Sequence, residues 1–107
     1  MGTLSYGPSL KPIAIEDRDL AHLQAVMIAK LRRGECFSFT WARSAEFGSG
    51  HSVLWMHPAM HLEFTFHGSK RVPLNRVWIE ALMDRANGSG GLELVAEKTA
   101  VARAEAR

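Results

Sequence analysis

Hydrophobic and polar positions along the 107 residues follow two different periods, and the switches between them mark the elements. Leu4 and Tyr6 alternate before a Gly7-Pro8 break, and Ile13 and Ile15 alternate after Pro12, which predicts two short strands joined by a turn. From Asp17 the period becomes helical. Leu20, Leu23, Met27 and Leu31 share a face that Val26 and Ile28 widen, which predicts a helix over 18–33. Asp17 is its expected N-cap and Asp19 suits the positive end of the dipole; Lys30, Arg32 and Arg33 crowd the last turn and Gly34 is the stop.

Strand periodicity then returns. Phe37, Phe39 and Trp41 alternate with Cys36, Ser38 and Thr40, and a hairpin loop over 45–50 leads to a strand over 51–57. Leu62, Phe64 and Phe66 alternate with His61, Glu63, Thr65 and His67, so the middle of the chain reads as a strand meander. A second helix is expected from an Asn75 N-cap, with Leu74 and Ile79 as a hydrophobic staple and Val77, Trp78, Ala81 and Leu82 on one stripe. Asn87-Gly88 is its expected left-handed stop, and 92–95 the last strand.

The order ββαβββαβ implies an α+β domain: a mostly antiparallel sheet with two helices packed mainly on one face. Residues 1–96 form the expected globular unit, and 97–107 a frayed helix or flexible tail. Alternation and helical spacing select Leu20, Leu23, Met27, Leu31, Phe37, Phe39, Trp41, Leu62, Phe64, Phe66, Trp78 and Leu82 as core.

One strand does not fit the half-buried pattern. Val53, Leu54, Trp55 and Met56 are apolar on both faces, whereas the neighbouring strands keep one polar face each. Such a strand is either central and covered on both sides, or it presents an apolar pair among Ser38, Thr40, Thr65 and His67 that suits a partner or a second copy.

Composition changes the picture little. Hydrophobic residues make up 47% and charged residues 22%, the balance of an ordinary globular domain rather than a disordered chain. Cys36 is the lone cysteine, so neither an internal disulfide nor a four-cysteine zinc site can form, and it is expected as a half-buried, inert thiol. No window approaches the roughly 18 apolar residues of a membrane span, and residues 1–11 lack the pattern of a signal peptide. A cytoplasmic address follows as the expectation. The formal excess of +2 is too weak a field to predict phosphate binding by itself.

The opening MGTLSYG, the stretch IEDRDLAHLQAVMIAKLRRGECFSFTW, the segment LWMHPAMHLEFTFHG and the run LNRVWIEALMDRANGSGGL resemble a family of similarly short actinobacterial proteins. Members of that family commonly bear the label ATP-dependent DNA ligase, so the resemblance implies a link to DNA ligation. Those ligases form a lysyl-adenylate at a Lys-x-Asp-Gly motif. The four lysines here are followed by Pro-Ile-Ala, Leu-Arg-Arg, Arg-Val-Pro and Thr-Ala-Val, so autonomous ligation is not expected.

The chemistry-bearing residues assemble no evident catalytic set. His51, His57, His61 and His67 crowd one region, but Pro58 replaces the helix that would aim His57 and His61 at one metal. No metal or other cofactor is expected. Gly-Ser-Gly-Gly at 88–91 follows a helix and precedes a strand, the reverse of a phosphate-cradling loop. Lys30, Arg32 and Arg33 end the first helix while Lys70, Arg71 and Arg76 flank the start of the second. Were those ends to meet, six cations would make a nucleic-acid-binding patch, though no aromatic side chain interleaves with them as a stacking platform. The leading expectation is a non-catalytic interaction module, a homodimer or the binder of a protein partner through Val53, Leu54, Trp55 and Met56. An accessory domain beside nucleic acid is the alternative, and a small-molecule enzyme whose groups converge only in three dimensions is the third.

Overall fold

The computed structural model describes residues 1–42 and 50–106. The elements run β1 (Gly2–Tyr6), β2 (Lys11–Ile15), α1 (Asp17–Arg32), β3 (Phe37–Ala42), β4 (His51–Met56), β5 (Leu62–Thr65), α2 (Arg76–Asn87), β6 (Leu92–Glu93) and α3 (Glu97–Glu105). The fold is α+β and mostly antiparallel, but its strands form two three-stranded sheets, β2-β1-β5 and β4-β3-β6. β3 and β6 are the one parallel pair among them. The expected hairpin loop over 45–50 lies, but for Gly50, outside the described residues.

The meander breaks after β4 for a local reason. Met60 N–H donates to the His57 carbonyl and Ala59 N–H to His57 Nδ1, each at 3.0 Å, which closes a tight turn around Pro58. The chain leaves this turn toward the amino-terminal hairpin, where β5 pairs with β1 in the register Leu4↔Phe64 and Tyr6↔Leu62. Gly7 N–H extends the ladder to the His61 carbonyl at 3.0 Å. β1 is therefore the centre of one sheet, and β4 is an edge strand of the other.

The core lies between the helices and both sheets. Leu20, Leu23, Met27, Phe37, Phe39, Trp78 and Leu82 are buried as periodicity predicts, and Leu31, Trp41, Leu62, Phe64 and Phe66 pack half-buried against them. Leu4, Ile15, Met56 and Leu92 join the core because the two-sheet arrangement turns all four inward. The Trp78 indole N–H donates to the Val95 carbonyl at 2.6 Å, which satisfies its polar atom inside the core.

The helix ends differ in detail from their sequence signatures. Asn75 caps α2 as expected, accepting the N–H groups of Val77 and Trp78 at 3.0 and 3.4 Å. Glu16 rather than Asp17 occupies the cap of α1, without a side-chain bond. The Asp17 carboxylate turns instead to the N–H groups of Gly68 and His67, at 2.9 and 3.3 Å, and the Gly68 bond foremost lowers its pKa. Gly34 takes the left-handed conformation, φ 75°, but Gly88 does not; that role passes to Gly91, φ 78°. At Gly91 a Cβ would collide with Ser38 on β3, so close approach as well as backbone conformation requires glycine. Residues 97–105 are helical, with Ala100 buried beside α2.

Candidate functional sites

The six cations divide by environment. Lys30 is 5% exposed, and its ammonium donates to Asn87 Oδ1 at 2.6 Å and pairs with Glu35 at 3.0 Å. It also lies 5.8 Å from the centre of the Phe37 ring. Lys30 thus ties the end of α1 to the end of α2, and its hydrogen bond is the main reason the Glu35 carboxyl sits below its usual range. Arg33 reaches the same carboxylate at 3.6 Å. Arg76 is exposed at the start of α2.

Arg32, Lys70 and Arg71 converge. They stand on the rim of a groove of about 620 Å³ between α1 and the segment 66–74. The α1 side of its lining is Ala21, Ala25, Ile28 and Ala29 at helical intervals, with Gln24 among them; Ala21 is buried at the border of the core and Ile28 is exposed. Phe66, Val72 and Leu74 supply the opposite wall. By sequence Ile28 only widens the core stripe, and the alanines at four-residue spacing are the available signal for a smooth second face.

Three side chains of the first turns of α1, Asp17, Arg18 and His22, hold residues 67–75 in place. Asp17 binds the N–H groups of His67 and Gly68 as described. Arg18 Nη1 donates to the Pro73 carbonyl at 3.1 Å, and Asn75 N–H donates to His22 Nε2 at 2.8 Å. Arg18 in turn meets Glu97 in a bidentate pair, Nε–Oε1 2.9 Å and Nη2–Oε2 2.6 Å, and Asn75 Nδ2 donates to the same Oε2 at 2.8 Å. Those hydrogen bonds, Arg18 first and Asn75 second, lower the Glu97 pKa to about 2.

The second candidate is the outer face of β4. Met56 is fully buried and Leu54 half-buried, whereas Val53 and Trp55 are 58% and 59% exposed. Register places Trp55 opposite Ser38 and Val53 opposite Thr40, so the apolar pair sits beside two small polar side chains. Thr65, expected as a third neighbour, belongs to β5 in the other sheet, and His67 follows that strand. From the first sheet the Tyr6 hydroxyl donates to the Trp55 carbonyl at 2.7 Å, joining the two sheets at this edge.

His51, His57, His61 and His67 are all exposed, and among the described residues no group of three His, Cys, Asp or Glu side chains is arranged to hold a metal ion. Cys36 is exposed rather than half-buried, because it precedes the first paired residue of β3. The 88–91 loop borders a separate groove between α2 and α3, whose rim mixes Glu80 and Asp84 with Arg85 and Arg103. No described helix is long and apolar enough to cross a membrane.

No curated protein and no solved structure matches the chain. Residues 1–97 match the family described as a domain of unknown function, DUF7882, and the chain belongs to that family.

Proposed function

We propose that the domain is a cytoplasmic, non-catalytic interaction module that pairs with a second copy of itself through the outer face of β4. The observation that carries this reading is the adjacent exposure of Val53 and Trp55, 58% and 59%, on an edge strand. Edge strands of monomers are ordinarily guarded by charges, proline or a bulge. The six residues of β4 include no Lys, Arg, Asp, Glu or Pro, and their register with β3 is continuous. Two copies related by a twofold axis would place Trp55 against its symmetry mate, and a stable pair needs about 600–800 Å² buried per subunit. Sedimentation at micromolar concentration is the test. A dimer that Trp55→Glu converts to a folded monomer supports the reading. A wild-type monomer, or a dimer indifferent to the substitution, removes it.

The ligase label carried by similar actinobacterial proteins suggests a second reading, an accessory domain beside nucleic acid. Arg32, Lys70 and Arg71 on one rim favour it. Lys30 and Arg33 do not add to that rim, since both are engaged with Glu35. Binding of this kind must weaken steeply with salt as counterions are released.

A further inference from the structure

The groove along α1 combines two properties that solvated basic surfaces do not share. Its floor is mainly apolar, with Gln24 and Ser69 as its uncharged polar members: Ile28 and Leu74 remain 37% and 57% exposed there, next to Ala25, Ala29 and Val72. Its rim carries Arg32, Lys70 and Arg71, while none of its lining residues is acidic. Among the described residues none of these three cations takes part in an ion pair. Cations left unneutralised above an apolar bed complement a molecule that is itself divided, with an oily body and an anionic end.

Dimensions select among such molecules. Ala21 to Arg32 spans roughly 16 Å of helix, so about 620 Å³ corresponds to a mean cross-section of about 40 Å². An acyl chain or a flat ring system fits within that width, whereas a helix, ~10–12 Å across with its side chains, could insert only single side chains. A nucleic-acid strand would meet the three cations but leave the apolar floor unused. The wall is also set before any ligand arrives, because Asp17 and Arg18 fasten the segment 66–74 to α1 and His22 fastens Asn75, which follows it. Binding therefore forgoes much of the cost of ordering a loop.

We propose that this groove is a binding site for a free small amphiphile, an elongated apolar molecule that ends in a carboxylate or phosphate. The body lies along Ala21, Ala25, Ile28 and Ala29, and the anionic end is held by Arg32 and Arg71 with Lys70 beside them. The site is independent of β4 and of self-association.

Decanoate, decyl phosphate and decanol below their aggregation limits are suitable probes, titrated into the intact protein and followed by amide shifts in nitrogen-15 NMR. The expected result is saturable binding of both anions, with shifts confined to 21–32 and 66–74. Decanol should bind at least about tenfold more weakly, as should decanoate to the exposed-surface variant Arg32→Gln/Arg71→Gln, since each loses a charge-assisted contact. Ala25→Trp, which fills the floor while leaving the rim, should abolish decanoate binding. Absence of saturable shifts at millimolar anion, or equal affinity for decanol and decanoate, would overturn the proposal. So would binding confined to anionic phospholipid vesicles, or a single-stranded oligonucleotide that shifts these amides and is not displaced by decanoate.

Discussion

His22 Nε2 accepts the backbone N–H of Asn75 at 2.8 Å, while Nδ1 lies 2.7 Å from the Arg18 carbonyl. A carbonyl can only accept and an N–H can only donate, so the ring carries its hydrogen on Nδ1 and a lone pair on Nε2. The imidazole is fully buried, and it lies against Trp78 with ring centres 4.2 Å apart. It links the first helix to the residue that caps the second.

His22→Phe keeps the ring and its contact with Trp78 but removes both polar atoms. The Asn75 N–H is left buried without an acceptor, and the expected loss is about 1–3 kcal/mol. Urea denaturation measures it, and long-range nitrogen-15 correlations on the wild type should show the Nδ1–H form. A stability change near zero would mean that water reaches the Asn75 N–H.

Glu97 yields a pH dependence. Its folded-state pKa of about 2 lies below the ordinary value of 4.5, so the unfolded chain takes up its proton first as pH falls. Its stabilising contribution is therefore complete above about pH 5.5, declines through the interval from 4.5 downward, and is lost below about 2. Glu97→Gln should lower the urea midpoint at pH 7, and the gap from wild type should close on acidification. A gap that stays constant down to pH 2 would show that the Arg18 pairing contributes nothing through charge.

The tryptophans should separate cleanly. Trp78, 1% exposed, loses both packing and its bond to Val95 in Trp78→Ala, at a cost of about 3–5 kcal/mol. Trp55→Ala, at an exposed site, should stay within about 0.5 kcal/mol when the monomers are compared. Denaturation at concentrations where sedimentation shows only monomer provides that comparison. A Trp78→Ala loss below about 1 kcal/mol would mean the site collapses around the smaller side chain.

Local structure was legible because local rules decide it. Alternation located β3 and β5, helical spacing located α1 and α2, and Asn75 announced its cap. Long-range pairing was not, because β5 carries the same alternation whether it lies beside β4 or β1. Past the turn closed at His57 it pairs with β1, a choice that alternation alone does not encode. Asp17 shows a similar limit: a carboxylate before a helix reads as a cap until tertiary contacts offer it the N–H groups of residues 67 and 68.

The candidate surfaces were half legible for the same reason. Two apolar faces on residues 53–56 identified β4 as unusual, but which pair is exposed follows from the sheet face that packs on the core, where Leu54 and Met56 lie. Six cations stood out by type, yet sequence could not tell Lys30, turned toward Asn87, from Arg32, turned toward a groove. The groove floor left almost no trace, since alanines on a helix read as propensity until a second wall stands opposite them.

The central place of β1 in its sheet has a bearing on how the chain is made. Its pairing with β2 spans a few residues and can form as soon as both emerge from the ribosome. Its other edge waits for residues 62–65, and β6 reaches β3 later still. Until those residues emerge, one edge of β1, Gly2–Tyr6, presents an unpaired ladder to whatever is nearby. That interval opens β1 to mispairing between nascent copies, a hazard the finished sheet no longer presents there.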